Sequence, residues 1–136
     1  MLRKVSAVEG LHEDVPYAYA TIVPAGGAVF TAGACPLDAD GRVVAPGEVE
    51  PQARQAIRNL LAVLEAAGCE PSDVVKTTVF VASTESADLV SAWREVEQVF
   101  GRDGPPSTLV GVTVLGWPGQ VFEIEAVAEL PNRRGP

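Results

Sequence analysis

Glu123, Glu125 and Glu129 share one face of what reads as the last strand. Across residues 121–130, Phe122, Ile124, Ala126, Ala128 and Leu130 fall on one side, and Glu123, Glu125, Val127 and Glu129 on the other. A period of two marks a strand with one face in a core and the other on water or a cleft. Glu123 and Glu125 are two positions apart, so about 7 Å separates their side-chain origins. Two carboxyl groups so placed could share acid–base work; the same pattern also fits a solvated strand face. Cys35, between Ala34 and Pro36, could be a nucleophile. With no basic neighbour in sequence to activate its thiol, it is expected to behave as a small buried hydrophobe. The single histidine, His12, has no second ligand at helical or strand spacing, and is expected to be an exposed loop residue. Cys69 follows a helix end and is given no role.

These groups need a frame. Residues 2–8 read as a short first strand near a chain end that frays through residue 9, as residues 131–136 are expected to do at the other end. A hairpin follows: a strand over 16–23, a Pro24-Ala25-Gly26-Gly27 turn, and a return strand over 28–33. A helix starts with Pro51 in its first turn, carries the apolar stripe Ala53, Ala56, Ile57, Leu60, Leu61, Leu64 and Ala67, and stops at Gly68. Residues 74–81 are rich in β-branched side chains and read as a strand. Ser83 or Thr84 is expected to cap a second helix with an inward stripe of Leu89, Trp93, Val96 and Phe100. Residues 101–106 form a loop into two closing strands, 107–115 and 121–130, joined by the turn Gly116-Trp117-Pro118-Gly119-Gln120. The order β, β, β, α, β, α, β, β predicts one α+β domain over residues 1–136, with two helices on one face of a mixed sheet. The first helix is long enough for a crossover between parallel strands. The strand over 74–81 is apolar on both faces, which predicts an oligomer covering the face the helices leave open.

Composition excludes several classes. The chain has 136 residues, 10 Lys and Arg against 18 Asp and Glu, and a formal net charge of −8. So acidic a chain is poorly matched to nucleic acid or an anionic membrane. Two cysteines without CxxC spacing point to reduced thiols and a cytoplasmic location. The start lacks an apolar leader core, and no apolar run approaches about 18 residues. Walker, Rossmann, HExxH and GxSxG patterns do not occur.

The element order and five local strings together resemble the RidA family (YjgF/YER057c/UK114) over residues 16–128. Pro16-Tyr17 before a strand is similar to its Gly-Pro-Tyr-Ser-x-Ala segment, and Thr31-Ala32-Gly33-Ala34-Cys35-Pro36 to its Ser-Gly-Gln-x-Pro. Its first helix is matched by Gln52-Ala53-Arg54-Gln55-Ala56-Ile57-Arg58-Asn59-Leu60, with Glu65-Ala66-Ala67-Gly68 behind it. Its central strand is matched by Asp73-Val74-Val75-Lys76-Thr77-Thr78-Val79-Phe80-Val81, and its final strand by Glu123-Ile124-Glu125-Ala126-Val127-Ala128. The resemblance implies a chorismate-mutase-like fold and a homotrimer with three clefts between subunits. It also implies a small-molecule substrate and no cofactor. Family enzymes hydrolyse reactive enamines and imines such as 2-aminoacrylate. An arginine binds the substrate carboxylate, a last-strand glutamate positions the water, and an N-terminal tyrosine lines the cleft.

The catalytic glutamate carries over to Glu123 and the tyrosine to Tyr17. The glycine is Gly33, flanked by Ala32 and Ala34 where the family has serine and glutamine. The family's Pro-Ala-Arg-Ser aligns with Pro105-Pro106-Ser107-Thr108, so Ser107 stands at the arginine position, and the turn after Leu115 is one residue longer. Tyr17, Gly33, Cys35 and Ser107 are the expected substrate-binding residues, with Arg102 either reaching the cleft from its loop or remaining a solvated loop arginine. An arginine fork gives two charge-assisted bonds where serine gives one neutral donor. At roughly 1.5–3 kcal/mol per bond to a charged partner, the exchange predicts about 10²–10⁴-fold weaker binding of a carboxylate substrate. One reading is an enzyme for a neutral or cationic imine or enamine, inefficient on 2-aminoacrylate. The other is a non-catalytic trimer that binds a small metabolite or a partner protein. A ribonuclease, which some family names suggest, is disfavoured by the acidic charge.

Overall fold

The computed structural model describes residues 3–15, 17–24 and 26–132. Leu2, Pro16 and Ala25, in the expected first strand and hairpin, and residues 133–136, in the tail expected to fray, lie outside the described residues. The elements are β1 Arg3–Val5, β2 Ala20–Ile22, β3 Ala28–Thr31, α1 Val49–Ala66, β4 Val74–Val81, α2 Ser86–Phe100, β5 Ser107–Gly111 and β6 Phe122–Glu129, with a 3-10 turn Pro71–Asp73 before β4. Arg3–Val5, in the segment expected to fray, is held by antiparallel pairing to β2. The β-sheet runs β1-β2-β3-β6-β4-β5. This mixed sheet with two helices is the α+β fold that the element order predicts.

The last strand is central. β6 lies antiparallel to both β3 and β4, with Phe80 opposite Glu123 and Phe30 opposite Val127. The crossover through α1 therefore joins strands that run the same way without being neighbours. The parallel neighbours are β4 and β5, joined through α2. Burial along β6 alternates residue by residue. Phe122, Ile124, Ala126 and Ala128 meet the buried α1 face of Ala53, Ala56, Ile57, Leu60 and Leu64, while the glutamates face away. Arg54 on α1 reaches Glu95 on α2 at 2.8 Å.

β5 is shorter than the predicted 107–115. It pairs only with β4, which ends at Val81; once Val112 has bonded the Val81 carbonyl, residues 113–115 have no continuing strand beside them. β2 is likewise shorter than 16–23: Ala20–Ile22 is the stretch paired with both β1 and β3. Neither Ser83 nor Thr84 occupies the cap position before Ser86, the first residue of α2. That position is Glu85, without a side-chain cap bond. Ser83 acts one step earlier: its Oγ accepts the Glu85 N–H at 2.9 Å and donates to Asp88 Oδ2 at 2.6 Å. Gly68, with φ of 88°, follows α1 in the left-handed region that ends helices.

Two carboxamides sit on the otherwise apolar inner face of α1. Gln52 is wholly buried. Its Nε2 donates to the carbonyls of Ala45 and Gly119 at 3.1 and 2.8 Å, and its Oε1 accepts the Val121 N–H at 2.7 Å. Asn59 donates to the carbonyls of Cys35 and Leu37, both at 2.9 Å. One helix thereby ties down both segments that flank the start of β6, and buried polar groups so satisfied fix the loops in one arrangement.

Candidate active site

Glu123 projects from the open face of β6 into a cleft of about 280 Å³, lined by Tyr17, Ala32, Gly33, Cys35, Gly116, Trp117, Gln120 and Glu123. Three segments meet there: the chain before β2, the exit from β3, and the turn before β6. The β3 exit is fixed to the sheet by a bridge between Ala34 and Ile124, with reciprocal backbone bonds of 2.6 and 3.2 Å. That bridge sets Gly33 directly beside Glu123. A methyl group on Gly33 would lie 2.4 Å from Glu123 Oε2. Space, not backbone conformation, is what requires a glycine here.

The two carboxylate oxygens have different surroundings. Oε1 lies 3.2 Å from Cys35 Sγ and 3.2 Å from Gln120 Nε2, two neutral donors. The same Gln120 amide also donates to the Phe122 carbonyl at 3.0 Å, and its Oε1 accepts the Trp117 N–H at 3.1 Å. Oε2 is left over the space at Gly33. Among the described residues the one ion pair is Arg54–Glu95, so Glu123 has no cation against it.

Cys35 is not an activated nucleophile. Burial pushes its thiol up, the Glu123 charge and hydrogen bond add to this, and bonds from Gln120 and Trp117 pull the other way, for a net rise from 9.0 to about 12. It acts as a protonated donor to Glu123 rather than as the inert buried hydrophobe expected. Burial likewise raises Tyr17 from 10.0 to about 12, with the nearby Cys35, Tyr19 and Glu123 adding to the effect. Tyr17 packs edge-on against Tyr19 at 5.9 Å.

Because both groups hold their protons more tightly folded than unfolded, their contribution to stability is complete below about pH 9. It falls as pH rises from about 9 to 12. Urea unfolding across that window should show this decline, and Cys35→Ala should reduce its slope. A wild-type stability that is flat over the window would contradict the buried, protonated thiol.

Tyr17, Gly33, Cys35 and Glu123 thus come together within one chain. Ser107 and Arg102 do not join them. Ser107, at the start of β5, pairs with Thr77 and accepts a hydrogen bond from its Oγ1 at 2.7 Å. Arg102 borders a separate hollow at the end of α2, with Trp93, Phe100 and Pro105. Glu125 is exposed and does not line the cleft, so the paired-carboxylate reading fails within the chain. His12 is not a free loop residue. Its ring packs over Gly41, where a Cβ would lie 2.5 Å from Nε2, and its carbonyl accepts the Tyr19 hydroxyl. Among the described residues, no group of three His, Cys, Asp or Glu side chains could hold a metal, and no helix is long and apolar enough to cross a membrane.

Sequence reasoning missed Trp117, Gln120, Gln52 and Asn59. The signal for the last two was present: carboxamides at positions 52 and 59 interrupt an apolar helix stripe. Gln120 gave no such signal, because a glutamine in a turn is ordinarily solvated.

Comparison with known proteins bears on the family and the fold. The family model described as Endoribonuclease L-PSP matches residues 12–130. A RutC family protein from Synechocystis is 39% identical over 116 residues, covering 84% of this chain and 87% of its own. The rat 2-iminobutanoate/2-iminopropanoate deaminase is 31% identical over 111 residues, covering 82% and 79%. The crystal structure of the YjgF gene product of E. coli superposes with a TM-score of 0.78 at 33% identity, over 93% of this chain and 98% of that one. With the family model spanning nearly the whole chain and the same fold in its solved relatives, the protein belongs to the RidA (YjgF/YER057c/UK114) family.

Proposed function

We propose that the protein hydrolyses a reactive imine or enamine in this cleft, with Glu123 as general base and without efficient action on 2-aminoacrylate. The observation that carries the reading is the single carboxylate held by neutral donors with Oε2 free over Gly33. Water adds to the C=N carbon as Glu123 accepts its proton. Glu123 returns that proton to nitrogen to give the carbinolamine, then accepts the hydroxyl proton as the C=O forms and the C–N bond breaks, and this second proton leaves on the nitrogen as ammonia. Two relatives carry the name 2-iminobutanoate/2-iminopropanoate deaminase, which supports the reaction class. The −8 charge argues against RNA as substrate.

The working unit is a homotrimer, with the cleft completed between subunits. The open sheet face supports this, since Phe30 and Val75 are 51% and 48% exposed there in the single chain. A monomeric mass by light scattering at micromolar concentration would remove it.

The test couples an amino-acid oxidase, supplied with acidic, neutral and basic amino acids, to semicarbazide trapping of the imines it releases. Shortened imine lifetime with the protein present is expected. Ser107→Arg should restore action on carboxylate-bearing imines by about 10²–10⁴-fold, the worth of two charge-assisted bonds. If wild type and Ser107→Arg are both inert across the panel, the hydrolase reading fails. The competing reading is a non-catalytic trimer that binds a metabolite or partner. It is favoured by Ser107, whose hydroxyl is engaged by Thr77. Activity only in Ser107→Arg would support it.

A further inference from the structure

The geometry points to the cleft as a receptor for a small organic cation that carries no carboxylate, with Glu123 as its counter-ion and the Trp117 and Tyr17 rings as its walls. This deepens the proposed function and rests on its placing substrate in the same cleft.

The first argument is charge. The cleft holds one carboxylate, and the groups bonded to it are a thiol and an amide. The other titratable groups that line it, Cys35 and Tyr17, stay neutral until strongly alkaline pH. Lys76, a cation on the same sheet face, has its ammonium on the Thr77 carbonyl and Thr108 Oγ1 at 2.8 and 2.9 Å and does not line the cleft. Glu125, on that face too, adds negative charge nearby. Among the lining residues of one subunit a carboxylate ligand would meet a like charge with no cation to offset it, whereas an ammonium or iminium finds a partly desolvated counter-ion.

The second argument is the wall. Trp117 and Tyr17 line the same cleft as the carboxylate, and Ala32, Gly33 and Gly116 leave room beside them. Aromatic faces attract cations, and more so where water is thinned. Gln120 builds this wall. Through its bonds to Trp117 N–H, the Phe122 carbonyl and Glu123 Oε1, it locks the turn and the carboxylate together. Gln52 anchors the same turn from below through Gly119 and Val121. A turn held from both sides presents a preformed site, which lowers the ordering cost of binding.

Stable probes separate binding from chemistry. n-Butylammonium and butyrate would each be titrated into the full-length protein by calorimetry, with tryptophan fluorescence read in parallel. We expect n-butylammonium to bind at least about tenfold more tightly than butyrate, and Glu123→Gln to weaken it about tenfold. Trp117→Leu should weaken it several-fold, which keeps the test decisive if Glu123→Gln should melt early. Equal or tighter binding of butyrate, binding indifferent to both substitutions, or no n-butylammonium binding would each overturn the inference. If n-butylammonium binds as described while no imine is consumed, the cation site stands and the hydrolase reading falls. If imines are consumed while n-butylammonium neither binds nor inhibits, the hydrolase stands and the cation site falls.

Discussion

Glu123→Gln is expected to lower imine hydrolysis by about 10²–10⁴-fold, the usual worth of a positioned general base, while leaving the melting temperature nearly unchanged. The two halves of this expectation have separate causes. Activity falls because an amide cannot take a proton from water at Oε2. Stability holds because the glutamine is isosteric and its carbonyl can still accept from Cys35 and Gln120, which now contact Oε1 at 3.2 Å. No ion pair is broken, since Glu123 has none among the described residues. Imine lifetime by semicarbazide trapping reads the first half, and a thermal melt the second. Retention of more than about half the wild-type rate would mean that the carboxylate is not the base.

Gly33→Ala should separate the same two properties by a different route. The added methyl would sit 2.4 Å from Oε2, 2.6 Å from Cδ and 3.0 Å from Cγ of Glu123. Those atoms belong to the end of a flexible side chain, so the carboxylate swings aside and the fold gives little. A misplacement near 1 Å can cost about 10²-fold in rate, and we expect a loss between about tenfold and that value. The stability change should stay within about 1 kcal/mol, because small substitutions away from the core seldom cost more. The backbone at Gly33 suits any residue, so strain does not confuse the reading. Wild-type kcat in Gly33→Ala would show that Oε2 does not need its position over Gly33.

These contrasts mark what the sequence could convey. Strands with alternating or β-branched patterns were legible because burial enforces the period: β4 begins at Val74 and ends at Val81 as read, and the β6 glutamates face away from the core. The α1 stripe was legible for the same reason. Edge elements were less so, because their length depends on a neighbour. β5 stops where β4 stops, which no local pattern in residues 112–115 encodes. The site was legible in part. Tyr17 and Gly33 were named on resemblance, Glu123 and Cys35 on their own chemistry as well, and all four line one cleft. Gln120 was not, because its role depends on Trp117 and Phe122 backbone groups that only the folded turn brings within reach. The spacing of Glu123 and Glu125 left two readings open, and the exposed Glu125 fits the solvated face, since sharing a strand face does not place two side chains in one hollow.

The position of β6 also bears on how the protein comes into being. Of the six strands of this sheet, the last to be synthesised is the one that must slot between β3 and β4. Until it emerges, the hairpin of β2 and β3 and the β4–α2–β5 unit have no sheet in common, and their apolar faces wait uncovered. Such long-range closure is slow and leaves intermediates prone to aggregation. A nascent chain stalled before residue 122 would contain Tyr17, Gly33 and Cys35 yet lack both the strand that joins the two halves and the carboxylate. A chain cut short of β6 therefore yields no partially active product, and exposure of the unfinished sheet is set by how quickly residues 122–129 follow.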